Sequence, residues 1–369
     1  MAKLTFFPLG NADTCLVDLD DGCKILFDFA HCRDAEDSED KRIDLAKYLR
    51  EDLNKAKRRF YDVVAFSHSD DDHVRGSSEF FEFDHAAKYQ EGDRAQIKDI
   101  WVPAAFVVEP GLKGDARVIR EEVRYRLKKG KGVRVFSRPE ALKKWLDSEG
   151  MSISDIAHLV TDAGKFVPGY GEEENVEVFA HSPFAARTDS GDLEDRNNNC
   201  LVVQMTIKVG GESTRIMFSG DTEQPAWLDI VSITRRHGRG DRLRWDVFKV
   251  PHHCSNTALW ADGANANQAP EKPIQWLWDQ GDERGIIVAT CDPIPKNDRD
   301  SQPPHRQAAE FYKSTVSKMN GSFRVTMEHP NTDAPEPTVI EIDGEKATLC
   351  EVSAGGVAAV LRSRAPRAG

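Results

Sequence analysis

The segment Ser67-His68-Ser69-Asp70-Asp71-Asp72-His73 places two histidines five residues apart with three carboxylates between them. Imidazole and carboxylate together form a donor set for divalent cations such as zinc and manganese. Adjacent carboxylates repel one another, and the run that leads into them, residues 61–66 (YDVVAF), has the pattern of a buried strand. At the end of such a strand the carboxylates would lose solvation as well, and a cation relieves both penalties. The plainer alternative is an acidic surface loop capping the next helix, with Asp72 as N-cap.

Four further segments weigh against that alternative. Asp221 follows the apolar strand pattern of residues 215–218, where a carboxylate could bridge two metals. His252 and His253 follow the run 246–248, His181 follows 176–179, and His305 precedes a helical pattern. For any one histidine a satisfied loop residue is the better reading. Their recurrence at the ends of elements argues that the side chains converge at one rim.

The elements that must hold them read as follows. Residues 4–9, 14–19 and 24–29 are short apolar strand patterns separated by the turn signals Gly10-Asn11 and Asp20-Asp21-Gly22. Residues 33–41 read as an exposed acidic loop, 43–59 as a helix, and 98–108 (KDIWVPAAFVV) as another strand. A mainly helical stretch follows, taken as an insertion over residues 110–165. Strand patterns return at 175–183, 200–209, 213–221, 245–253 and 284–292, a helix at 303–316, and closing strands at 323–329, 337–343 and 347–353. The basic end RSRAPRAG is expected to be a frayed terminus. This order predicts an α/β (α+β) architecture, two sheets covered by helices in one domain spanning residues 1–369.

Composition narrows the class. The 369 residues are 39% apolar and 30% charged, a globular balance. No apolar run is long enough for a membrane span, so no membrane partner is expected. The opening MAKLTFFPLG lacks the apolar stretch of a secretory signal. The seven cysteines are odd in number and never spaced as CxxC, which predicts reduced thiols and a cytoplasmic location. A net charge of −12 argues against non-specific coating of nucleic acid, though not against a nucleic-acid substrate. Two basic stretches, 117–131 and 235–244, read as a solvated helix face and a charged loop.

The order of these motifs resembles the metallo-β-lactamase superfamily, and within it the ComEC-type branch of DNA-uptake competence nucleases and their free-standing relatives. The matching segments are LGNADT (with Asp13), ILFDFA (Asp28), HSDDDHVRG, NNNCLVV (residues 197–203), FSGDT (Asp221), FKVPHHCS (His252, His253) and PPHRQ (His305). They run from residue 4 to about residue 315. The resemblance implies an αββα sandwich of two mixed sheets with a helical insertion, and two divalent metal ions, zinc or manganese. His68 and Asp70 would hold the first metal and Asp72, His73 and His253 the second, with Asp221 bridging. Asp28 would orient ligands, and Asp72, His252 and His305 would act in catalysis. His181, Asn197 and Asn199 are expected as outer-shell or substrate contacts, and Asp71 to face solvent.

The departures are as informative. Asp70 stands where most of the superfamily has a histidine, which makes the first position richer in oxygen. The middle-motif histidine is missing, and Asn197–Asn199 occupy its place, which leaves open whether Asn197 or Asn199 replaces it. Cys254 replaces a glycine and reads as a packed residue before it reads as a soft ligand. The activity so implied is phosphodiester hydrolysis by a dinuclear, metal-activated hydroxide, with a nucleic acid as the leading substrate. A small-molecule hydrolase acting on a cyclic nucleotide, lactone or other ester is the second reading. A non-catalytic metal-binding scaffold in a multi-protein system, meeting a protein partner through the helical insertion, is the third.

Overall fold

Alternation of apolar side chains along the strands builds three cores. In β11 (Trp245–Lys249) Val247 faces one way and Phe248 the other, and a shift of register between Trp245 and Val247 puts Trp245 on the side of Phe248. In β12 (Gly281–Ala289) Ile286 and Val288 alternate with Ile287 and Ala289 in the same sense. Sheets with two apolar faces need cover on both, so they stack on each other and take helices outside.

The computed structural model describes residues 1–369 apart from 191, 192, 194, 298, 300, 353–357 and 360–369. The expected frayed end, RSRAPRAG, lies outside the described residues, as does the last residue of the strand expected over 347–353. The first sheet has nine strands. Their order is β15 (Lys346–Leu349), β14 (Thr338–Asp343), β1 (Ala2–Phe6), β2 (Cys15–Asp18), β3 (Lys24–Phe27), β4 (Phe60–Ala65), β5 (Gln96–Pro103), β6 (Val133–Phe136) and β7 (Val160–Thr161). The second has six: β13 (Ser322–Val325), β12, β11, β10 (Glu212–Phe218), β9 (Val202–Val209) and β8 (Val176–Ser182). Both are mixed. From β3 to β7 the neighbours are parallel, as they are from β10 to β13, and the remaining pairs are antiparallel.

The middle core lies between the sheets. The helix Leu45–Lys55 covers the outer face of the first sheet with Leu45, Leu49 and Leu53, one per turn, and Asp44 caps it by accepting from the Lys47 N–H at 3.0 Å. Helices Gly114–Lys129 and Glu140–Ser148 extend that layer. Gln224–Arg236, Lys272–Trp278 and Arg306–Lys318 cover the second sheet. The layers are αββα. Among the described residues no helix is long and apolar enough to cross a membrane.

Two stretches differ from the expectation. The strand expected over 98–108 stops at Pro103, and Ala104–Val108 turns into a short buried helix. The apolar run fits either element, and its proline starts the helix at no cost because a helix N-terminus needs no N–H there. Residues 110–165 are mainly helical but also carry β6 and β7, which extend the first sheet in parallel while their helices pack on its outer face.

Candidate metal centre

The parallel strands of the two sheets end at one rim, and short segments leaving those ends carry the chemistry. His68 to His73 leave β4, Asp28 leaves β3, Asp221 leaves β10, His252 and His253 leave β11, and Thr290 leaves β12. Backbone hydrogen bonds tie these segments together: Phe29 N–H to the His73 carbonyl (3.0 Å), Asp13 N–H to that of Asp72 (3.0 Å), and Leu201 N–H to that of Ser67 (2.9 Å). Gly220 sits so close to Ser67 that a Cβ would lie 2.9 Å from the serine Cβ, so only glycine fits there. His252, His253 and Cys254 hold left-handed backbone with φ of 49°, 50° and 66°, and Asp28 one of 56°. Each such residue costs about 1–3 kcal/mol, and such strain clusters where geometry serves function.

Four donors converge. His73 Nε2 lies 3.1 Å from Asp221 Oδ1, yet neither atom makes a hydrogen bond and both are buried. His253 Nε2 lies 3.1 Å from Asp72 Oδ2 and 3.3 Å from Asp221 Oδ2. The opposite nitrogen of each ring is committed. His73 Nδ1 donates to Asp28 Oδ2 at 3.0 Å and His253 Nδ1 to the Thr290 carbonyl at 2.8 Å. With Nδ1 donating, Nε2 is the nitrogen that faces carboxylate oxygen, and the contact is favourable only if a cation lies between them or the ring itself carries a second proton. Burial pushes both rings towards neutrality, but Asp221 outweighs it, with Asp28 for His73 and Asp13 for His253. His73 is held above the usual histidine range, and His253 is raised to about 10. Burial works against the Asp221 carboxylate too, and His253 and His73 keep it well below its ordinary value. The pocket requires positive charge, and two imidazoles with two carboxylates fit a divalent cation of the zinc or manganese kind.

Further carboxylates and cations stand on both sides. Lys249, on the inner face of β11 with Val247, reaches the buried Asp13 carboxylate and lies 3.8 Å from Asp221 Oδ1. Asp13, His73, Asp221 and His253 also form a group with metal-ligand spacing. We read its cationic place as already filled by the Lys249 ammonium, which Asp13 and Asp221 hold charged against the effect of burial. On the other side His68 Nε2 lies 3.3 Å from Asp70 Oδ2 and is otherwise unpartnered and buried. Asp28 is the hub below. Its carboxylate accepts from the Ser67 N–H (2.6 Å), the Ser67 hydroxyl (2.8 Å) and His73.

The remaining expected residues divide. His252 Nδ1 lies 3.2 Å from both Glu223 Oε1 and Thr257 Oγ1. His305 Nδ1 accepts from the Asn256 N–H at 3.1 Å. Both rings line a cleft of about 320 Å³ with Ser255, Asn256, Thr257 and Trp260. Asn197 donates to Glu223 at 3.3 Å and so joins the His252 side. Asn199 is spent on Thr188 Oγ1 and the Asp195 carbonyl, both at 2.8 Å, and holds a loop rather than a metal. His181 is not at the site. Ala180 faces the middle core, so the next side chain turns outwards, where its ring meets the Arg242 carbonyl (2.8 Å) and Thr234 (3.4 Å). Asp71 is exposed and paired with Arg75, and Cys254 is packed in the outer core of the second sheet.

Sequence reasoning assigned no role to Lys249, Arg196, Glu109 or Glu223, and quoted Asp13 only as part of a turn. The local signal was Lys249 itself, a charge closing the fully buried strand WDVFK.

No protein-family model matches the sequence, and no curated protein does. Solved structures do. The metallo-β-lactamase GOB-18 from Elizabethkingia meningoseptica shares 12% identity over 86% of this chain and 89% of its own, with a TM-score of 0.32. Unliganded yeast PDE1 shares 9% over 88% and 96%, TM-score 0.35. A diphosphatase from the PhnP family shares 10% over 68% and 72%, TM-score 0.26. At such scores the likeness adds no weight; the αββα layering and strand order carry the fold.

Proposed function

We propose that this chain is a metal-dependent hydrolase acting on phosphodiesters. The observation that carries the reading is the pair of buried imidazoles, His73 and His253, whose orientations are fixed so that both Nε2 atoms face the oxygens of Asp72 and Asp221. A cation bound there supplies Lewis acidity and lowers the pKa of water towards neutrality. Asp28 and the Thr290 carbonyl keep the rings in register. Glu223 and Thr257 hold Nδ1 of His252, which leaves its Nε2 for the substrate. His252 and His305 line the adjoining cleft, where they can meet phosphoryl oxygens or return a proton to the leaving oxygen. The motif order supports a phosphodiester, with nucleic acid as the leading substrate.

One observation favours a short diester over a long polyanion. Part of the charge of the two basic stretches is engaged within the fold: Arg126 pairs with Glu122, Arg242 with Glu177 and Glu172, and Arg244 with Asp282. Long-chain binding depends on cations free to displace counterions. The test is an assay of the protein reconstituted with manganese or zinc on a chromogenic diester, cyclic nucleotides, DNA, RNA, carboxylic esters and lactones. Cleavage of diesters, lost on chelation and in H253A, is expected. Turnover of carboxylic esters or lactones alone overturns the phosphodiester reading, and diester turnover without polymer cleavage selects the short substrate.

A further inference from the structure

The two sides of the cluster are not equivalent as metal positions. On the Asp221 side, Asp72, His73, His253 and Asp221 offer four donors, with both imidazoles locked. On the Asp70 side, His68 stands at ligand spacing from Asp72 and His73, which the first position already uses, and the further donor beside it is Asp70. The segment in the place of a third donor is 197–199, and its side-chain amides are turned to other partners: Asn197 donates to Glu223, Asn198 donates to the Asp195 carboxylate and leaves its Oδ1 buried without a partner, and Asn199 accepts from Thr188 and donates to the Asp195 carbonyl.

What this segment does bring is Arg196. Its guanidinium donates through Nη1 to Asp70 Oδ1, while Nε and Nη2 reach Glu109 Oε1 at 2.9 and 2.6 Å. Glu109 is itself buried and takes the Ser69 hydroxyl on its other oxygen at 2.8 Å, so the fork has a rigid seat. A guanidinium has no lone pair to offer a metal. It neutralises Asp70, the carboxylate that a cation at this position would need, and repels that cation at a distance of one carboxylate.

We propose that the centre holds one divalent cation, at Asp72, His73, His253 and Asp221, and that Arg196 supplies the second positive charge. The proposal rests on the metal-dependent reading above and deepens it. The guanidinium, a third exposed, takes the side of the cluster where a second cation would otherwise meet a phosphoryl oxygen.

The test is metal content. The full-length chain, loaded with zinc or manganese and desalted, is expected to retain one ion per chain by elemental analysis. H253A is expected to lose it and H68A to keep it. R196H, which offers His68 and Asp70 an imidazole as third donor and removes the charge, is expected to retain two. A reading that needs no variant is the electron paramagnetic resonance of the manganese-loaded wild type, where the six-line spectrum of an isolated ion is expected. Two ions in the wild type, or an exchange-coupled spectrum, overturn the proposal and leave the hydrolase reading standing. One ion lost in H68A and kept in H253A overturns the assignment of the position. No retained ion, unrecovered on adding either metal, overturns the hydrolase reading itself.

Discussion

Lys249, 6% exposed, reaches Asp13 from inside the sandwich, whereas Arg196, 32% exposed, reaches Asp70 from a loop at the rim. Each cation flanks a different edge of one cluster of carboxylates. The lysine is a compact charge on a strand, shut between two sheets, and its partner is equally buried. The arginine is a fork on a loop, shared between one carboxylate in the cluster and one behind it. Burial makes the first pair structural, because neither charge can stand there alone. Partial exposure makes the Asp70 arm of the second a poor source of stability, since water screens it, but leaves the charge within reach of a ligand.

The largest expected effect tests the closed side. Lys249→Met keeps the length of the side chain and strands the Asp13 carboxylate, which should lower stability by about 3–5 kcal/mol in urea unfolding of the metal-free protein. Adding Asp13→Asn should recover more than half of that loss; a loss that persists in the double variant breaks the account of Lys249 as Asp13's counter-charge.

Burial without a charged partner gives the next scale. Burial depresses His181 to about 4, against about 6.5 in the unfolded chain. The folded ring stays neutral while the unfolded one takes a proton, so stability is full above pH 6.5 and falls as pH drops from about 6.5 to about 4. The total is about 3 kcal/mol, and His181→Gln should remove this part of the pH dependence. An unchanged pH profile in the variant would show that the ring is not carrying it.

Asp28→Asn keeps the acceptor for the Ser67 N–H but puts an N–H against His73 Nδ1–H. Metal affinity measured by competition with a chelator should fall about 10–100-fold, with the fold retained by circular dichroism. Arg196→Lys gives up the fork, and urea unfolding of the metal-free protein should change by less than about 1 kcal/mol. A loss as large as that of Lys249→Met would erase the distinction between the two sides. Asp71→Asn removes an exposed pair with Arg75 and should change neither metal content nor, beyond about 0.5 kcal/mol, stability.

The residues of the cluster were readable in the chain because strands end abruptly and their last polar residues must lie at an edge. His68, Asp72, His73, Asp221 and His253 each follow an apolar run, and the structure brings all five together. His181 shows where that rule fails. It too ends a strand, but an alternating strand sends successive side chains to opposite faces, and the one face that reaches the rim cannot be told from the other by position. The run 98–108 failed for a related reason, since apolar content does not separate a buried strand from a buried helix.

Motif order and apolar periodicity were sufficient for the layers, the rim and the donor types. The charge balance of the cluster was not readable in this way. Lys249 meets Asp13 across 236 positions, Arg196 meets Asp70 across 126 and Glu109 across 87, and no local pattern encodes those pairings. They exist because closing two sheets on one rim leaves several carboxylates where water cannot solvate them. Each must then find whatever cation, protein or metal, the folded chain puts within reach.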